Sequence, residues 1–223
     1  MTTLTEPVYA TESFISEAAG SRSREAITVK SGANLVSCAV IAAILSGTSA
    51  SAAKSGGNTG NGTFVLDATT PILARAREGV YTLRCIAAAT NGGTFRLEGP
   101  SGNVLGEFTI SGGAGGTVTV NEQIKGVLTD GGTDFAVGDG FDITVSALTA
   151  KYVALAPAGT DGSQIAAGIL YAAVDASASD KPGVAWVADC EHNAAIVQWP
   201  AGITTAQKAI AKAQLAERGI LLR

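Results

Sequence analysis

Turn-forming residues divide the middle of the chain into short pieces of similar length. Between residues 63 and 148, alternating apolar and polar stretches such as GVYTLRCIAA (79–88) are separated by turn sequences such as TNGG (90–93). Six or seven strands at a spacing of about 10 residues, with no helical periodicity between them, are typical of an antiparallel sandwich. We therefore expect a mainly β protein whose central part is an immunoglobulin-like β-sandwich.

The two ends of the chain each carry too few strands to close a core alone. Residues 26–45 hold an alternating strand and then a continuously apolar one, and residues 149–223 hold several more strands. Between the first end and the sandwich, SGTSASAAKSGGNTGNG (46–62) has no packing side chains and is typical of a flexible linker. We expect residues 26–45 and 149–223 to form one domain, interrupted by an inserted sandwich domain over 46–148.

The last twenty residues predict the one clear helix of the chain. Thr204 precedes TAQKAIAKAQLAERG, Gln207 stands three residues later, and Gly219 follows the helical pattern. This is the sequence signature of a capping box at the start of a helix and a glycine at its end. Residues 220–222, Ile-Leu-Leu, are then free to form a final strand.

The low charge of the chain indicates a protein that associates with others. Charged residues make up 15%, against about 25% in an ordinary soluble domain. The net charge is −4 and the basic residues are scattered, so we expect no nucleic-acid partner. The apolar run Leu35–Leu45 is half of the ~20 residues that a membrane span needs. The start, MTTLTEP, is unlike a signal peptide, and predicts a protein made in the cytoplasm.

Residues 1–25 are polar and predict a flexible N-terminal arm. Four apolar side chains stand out in it: Val8, Tyr9, Phe14 and Ile15. Large apolar groups in a mobile tail have no local core to join, so docking on a partner and packing back on the body are both open.

No constellation in the sequence predicts catalysis. Cys190 and the single histidine, His192, would share a face of a strand, but no orienting carboxylate or oxyanion-donor motif accompanies them. We therefore expect no enzyme and no cofactor. The odd number of cysteines, with Cys38 and Cys85 far from Cys190, excludes a complete disulfide framework and predicts reduced, buried thiols.

Four aspartates crowd the stretch TDGGTDFAVGDGFD. Carboxylates at this density can bind calcium, but EF-hand spacing is absent and aspartates beside glycines are usually turn formers. A calcium site is therefore left open and no metal site is predicted; the four residues are Asp130, Asp134, Asp139 and Asp142.

The C-terminal segment resembles the lambda-type head decoration proteins of tailed phages. The resemblance rests on KYVALAPAGTDGSQIAAGILYAAVDA (151–176), on Trp199-Pro200, and on the capped helix and terminal strand that follow. It covers about residues 149–223 well and residues 10–45 more loosely. The inserted sandwich departs from the family pattern.

This resemblance implies a capsid protein of the virion. It would bind as a homotrimer over three-fold positions on the outer surface of the expanded head, contact the major capsid protein, and stabilise the shell against internal DNA pressure. The arm would become ordered on the shell through its apolar side chains. In the trimer, the apolar stretch after Asp161 would lie partly in the core and partly against neighbouring copies. The residues expected at the trimer interface are Ile165, Ile169, Tyr171 and Trp199. As an alternative, the sandwich is a capsid-displayed adhesin that binds a glycan or receptor on the host surface.

Overall fold

The computed structural model describes residues 6–111, 113 and 115–223. The chain is divided into two compact units. The first, called the terminal unit here, combines Met1–Ile44 with Ala150–Arg223, and the second, the central unit, is Leu45–Thr149. The chain is mainly β, with antiparallel sheets and one short C-terminal helix, which confirms the predicted fold class.

Strands make up most of the regular structure, and two of them cross a unit boundary, at Ile44/Leu45 in β4 and at Thr149/Ala150 in β11. In chain order the elements are β1 Phe14–Glu17, α1 Gly20–Ser23, β2 Arg24–Val29, β3 Asn34–Leu35, β4 Val40–Ala53, β5 Thr63–Leu66, β6 Gly79–Ala89, β7 Gly92–Glu98, β8 Val104–Ile110, β9 Thr117–Asn121, β10 Lys125–Thr129, β11 Gly140–Ala154, β12 Ala166–Leu170, β13 Val174–Asp175, β14 Lys181–Trp186, β15 Cys190–His192, α2 Thr205–Ala216 and β16 Ile220–Leu222.

The terminal unit is built around β12. This strand pairs antiparallel with β14 on one side and with the start of β4 on the other, and β14 pairs in turn with β2. All five residues of β12 are buried. A register shift between Ala166 and Gly168 places Ala166 and Ile169 in one hydrophobic cluster, while Leu170 belongs to another. Side chains of this apolar strand therefore pack into two hydrophobic clusters, one on each face of the strand.

A second, smaller sheet of the terminal unit holds the N-terminal segment. Its order is β1-β15-β16, with β1 antiparallel and β16 parallel to β15. The helix α2 packs on the same core through Ala211 and Leu215. Its capping box is formed as predicted, and Gly219 has a φ of +74° just after the helix. The final strand over Ile220–Leu222 is confirmed.

The central unit consists of two sheets over one core. The first runs β11-β6-β7-β8 and the second β5-β10-β9, all antiparallel. Side chains from both enclose a single cluster: Tyr81, Leu83, Phe95 and Phe141 from the first sheet and Phe64, Val120 and Leu128 from the second. This arrangement is a β-sandwich, as the strand spacing predicts.

The expectation of a flexible linker over residues 46–62 is wrong. Strand β4 continues to Ala53, and the segment after it is held by hydrogen bonds to the loop before β11. The Asp139 carboxylate accepts the backbone N–H groups of Thr59 and Gly60, and the Asn58 and Asn61 side chains accept those of Gly140 and Thr133. Glycine and asparagine leave little side-chain surface to pack, but they allow close backbone approach and hydrogen bonding.

Within the described part of the chain, no helix is both long and apolar enough to cross a membrane.

Candidate functional site

The N-terminal segment lies against the terminal unit, which corrects the expectation of a wholly flexible arm. Strand β1 pairs with β15 so that Phe14 lies opposite His192 and Glu17 opposite Cys190. The backbone carbonyl of Ser13 accepts the N–H of Asn193 at 2.7 Å. Residues 1–5 of the predicted arm lie outside the described residues. Two alternatives were left open for the arm, docking on a partner and packing on the body. In the structure, residues 13–17 pack on the body.

Four rings form what we call the Trp186 cluster: Phe14, Tyr171, Trp186 and His192. The Phe14 ring is stacked on Trp186 at a centroid distance of 5.4 Å, and the Tyr171 ring is stacked on it at 4.9 Å. The His192 ring meets Trp186 edge-on at 4.6 Å. Aromatic pairs at these distances contribute more stability than the surface area they bury would alone. Phe14 is therefore the main apolar contact of β1.

Glu17 ties the end of β1 to the same cluster. Its carboxylate accepts the indole N–H of Trp186 at 2.8 Å and pairs with the Arg24 guanidinium at 2.8 Å. That guanidinium also lies 5.9 Å from the centroid of the Tyr171 ring. A half-buried carboxylate thus has two partners that compensate its desolvation.

The apolar residues predicted to contact a partner through the arm remain accessible to different degrees. Tyr9 is 60% exposed and Ile15 49% exposed, while Phe14 keeps 37% of its surface in solvent despite its stacking. Val8 is half-buried. Ile15 therefore projects from an edge strand whose outer side has no paired strand among the described residues.

The four residues predicted for a trimer interface differ in how far they are exposed. Ile165 is 44% exposed, and Tyr171 and Trp199 are half-buried. Ile169 is fully buried at 0% exposure, so its assignment to an interface is wrong. It lies on β12, which is paired on both sides, and its side chain belongs to the hydrophobic cluster that includes Trp186 and Leu215. The Trp199 ring is capped by the Lys208 ammonium, 5.8 Å from its centroid.

Cys190 and His192 do share the buried face of β15, but their chemistry is not that of a nucleophile and its base. Burial raises the pKa of the Cys190 thiol to about 12, with Glu17 and Asp189 acting in the same direction. The histidine is hydrogen-bonded instead to the Ser13 hydroxyl, 2.8 Å from Nδ1. Sequence analysis missed Ser13 because the two residues are 179 positions apart and no local pattern connects them.

The four aspartates have separate roles. Asp139 accepts three backbone N–H groups, Asp142 pairs with Arg84, and Asp134 accepts the N–H of Asn91. Asp130 is buried, and its carboxylate has no hydrogen-bond partner in the described structure. Over residues 6–111, 113 and 115–223, no three acidic, histidine or cysteine side chains meet in a way that could hold a metal ion.

Comparison with protein families identifies the chain. The model of the bacteriophage lambda head decoration protein D family matches residues 3–220. The chain belongs to this family. The matched range covers residues 10–45 and 149–220 of the two segments on which the resemblance was argued, and it also runs across residues 46–148. Membership implies a structural protein of the phage capsid.

Other comparisons add little to the assignment of this decoration protein. No curated protein matches it. A crystal structure of FlgL from Xanthomonas campestris matches at 22% identity with a TM-score of 0.32, covering 50% of this chain. The match spans only 33% of that chain, and a likeness of this size carries no argument about fold or function.

Proposed function

We propose that this decoration protein binds as a homotrimer on the outer surface of the expanded capsid, contacts the major capsid protein, and stabilises the shell against internal DNA pressure. The observation that carries the proposal is the family match over residues 3–220. The finer statements, that is the trimer, the outer surface and the stabilisation, are extensions of it.

The edge of the terminal unit supports a contact through β1. An edge strand offers unpaired backbone donors and acceptors, to which a strand of a partner can be added. Ile15 on this strand is 49% exposed, and Tyr9, which precedes the strand in the sequence, is 60% exposed. Backbone pairing would give affinity and the apolar side chains would fix the position. For the contact between copies, Ile165 remains the best exposed of the predicted residues.

Stabilisation needs no catalyst. A protein that binds only the expanded shell stabilises that state by mass action, by about 2.7 kcal/mol at a hundred times its dissociation constant. A trimer touches several shell subunits at once, and the later contacts form at a high effective concentration. Modest individual contacts therefore suffice.

Binding to undecorated expanded capsids tests the proposal. The purified protein, mixed with such shells and imaged, should add density at the three-fold positions of the outer surface, and Ile15→Ser should weaken binding. Val65→Ser is the matched control, because Val65 is 63% exposed but lies in the central unit. Protein that stays in the supernatant would contradict shell binding, and density that is not trimeric would contradict the oligomeric state.

The self-contained core of the central unit favours a second function. Its sheets enclose their own hydrophobic cluster. In this second function the central unit carries a binding activity and the terminal unit displays it. In that case it is an adhesin for a glycan or receptor of the host surface. Particles decorated with protein lacking this unit would then attach to host cells less well, whereas under the first proposal attachment would be unchanged.

A further inference from the structure

The single histidine of the chain is buried with one of its two ring nitrogens unsatisfied. His192 has 0% exposure, and its Nδ1 lies 2.8 Å from the Ser13 hydroxyl. Its Nε2 is buried without a hydrogen-bond partner in the described structure. A protonated imidazole carries an N–H on both nitrogens, so this site accommodates the neutral ring and leaves a charged one with an N–H that has no acceptor.

The N-terminal segment supplies part of the cover over this histidine. Ser13 provides its hydrogen bond, and the Phe14 ring stands 6.2 Å from it, edge-on, while stacking on Trp186. Removal of these two residues would give the imidazole access to water. The state of the histidine and the position of the segment are therefore coupled by geometry.

The segment is short and is held at a limited number of points. The Phe14 ring stacks on Trp186, and the Glu17 carboxylate bonds to Trp186 and Arg24. The Ser16 hydroxyl donates to the Glu191 carboxylate. Strand β1 has four residues, three of them exposed. At its ends, the carbonyl of Ser13 accepts the Asn193 N–H, and the Ala18 N–H donates to the carbonyl of Asp189 at 2.9 Å. A short terminal strand with this little burial opens at a lower free energy than the unit as a whole.

We propose that Ser13–Glu17 is an acid-labile latch: protonation of His192 releases β1 from β15 while the rest of the terminal unit stays folded. The functional meaning of the latch rests on the proposed function. Because β1 is the proposed shell contact, its release would change the surface that binds the shell. The physical reason is the free-energy cost of burying a charged imidazolium in a closed, apolar site. Once the segment has left, water solvates the charge and this cost disappears.

The direction of the pH dependence follows from the site. Burial lowers the pKa of His192 from 6.5 to about 4, although the Glu17 carboxylate acts to raise it. The open form, with its ring in water, binds the proton from about pH 6.5 downwards. The equilibrium constant for closing of the latch is therefore at its full value above that pH. Below it, the constant falls by a factor of about 10 per pH unit until about pH 4.

Other ionisable groups also lie around the histidine, and variants are needed to separate their effects from its own. Glu17 is already paired with Arg24, Cys190 remains a thiol because burial raises its pKa to about 12, and Arg223 beyond β16 is paired with Glu191. The remaining neighbours with ionisable side chains are Cys38, whose Sγ lies 3.4 Å from the Ser13 nitrogen, and Tyr171 of the Trp186 cluster.

Amide hydrogen exchange on the free protein tests the latch. The opening constants of the Ala18 and Asn193 amides, corrected for intrinsic exchange, should rise by about 100-fold between pH 7 and pH 4, as the two pKa values require. The Leu170 amide, which donates to Ala39 in the centre of the same unit, should not follow. The signals of the single imidazole report its protonation directly.

Two variants separate the histidine from other acid effects. His192→Asn keeps a group at the position of Nδ1 but does not titrate, so the rise in the Ala18 and Asn193 opening constants should be lost. Glu17→Gln removes the carboxylate that acts on the pKa of His192, and the rise should persist in it. A rise that survives in His192→Asn, or one that Leu170 shares, would overturn the latch. Because no shell is present, a negative result here leaves shell binding unaffected, and failure of shell binding leaves the latch intact.

Discussion

At the scale of single residues, buried carboxylates decide how the glycine-rich connections are held. Asp139 is 3% exposed and accepts backbone N–H groups from Thr59 at 3.0 Å, Gly60 at 2.9 Å and Ala136 at 2.9 Å. It joins the segment after β4 to the loop before β11. A stretch that looks like a linker is therefore fixed by one side chain far away in sequence.

Asp139→Asn should destabilise the central unit by about 1–3 kcal/mol, because the amide nitrogen cannot accept and leaves a buried N–H unpaired. Urea unfolding followed by amide signals of β6 and β10 measures this. Asp134→Asn is the matched control, since Asp134 is exposed and the amide oxygen can keep its one hydrogen bond to Asn91. Equal losses in the two variants would contradict the special role of Asp139.

The same carboxylate gives a pH dependence. Burial alone would raise the pKa of Asp139, but the hydrogen bonds from Gly60, Thr59 and Ala136 lower it below the usual 3.8. The contribution is thus fully present above about pH 4 and is lost as the pH falls through the lowered value. The stability difference between the natural protein and Asp139→Asn should shrink in that acidic range.

At the scale of elements, the start of α2 rests on local chemistry. The Thr204 hydroxyl accepts the Gln207 N–H at 3.2 Å, and the Gln207 side chain accepts the Thr204 N–H at 2.9 Å. Thr204→Ala should therefore cost about 1 kcal/mol of stability in the terminal unit. Thr205→Ala, one residue later and also exposed, should cost little. Tryptophan fluorescence during urea unfolding checks both, because Trp186 and Trp199 lie in this unit; similar losses would speak against the cap.

At the scale of the whole molecule, the terminal unit should fold without the central one. The Thr149 hydroxyl lies 3.4 Å from the Ser46 carbonyl oxygen, so a short Gly-Asn-Gly turn can replace residues 48–147. The shortened protein should keep the dispersed amide spectrum of the terminal unit and still bind expanded capsids. An unfolded product, or a folded one that does not bind shells, would show that the central unit belongs to the function.

Much of this organisation depends on residues close together in the sequence and could therefore be predicted. Strand alternation, turn residues and the Thr204–Gln207 cap depend on neighbours within a few positions, so the sandwich, the helix and the final strand followed from the sequence. The family likewise followed from the order of motifs in the C-terminal segment. The burial of Ile169 did not, because it depends on which strands pair on either side of β12.

The sequence alone determined the class of the fold, the capped helix with the strand that follows it, and the family. Only the tertiary structure decided that Ser13 meets His192, that Phe14 stacks on Trp186, and that Asp139 holds residues 59 and 60. Each of these pairs joins residues 79 to 179 positions apart. Such contacts are fixed by strand order and register, which short-range patterns do not specify.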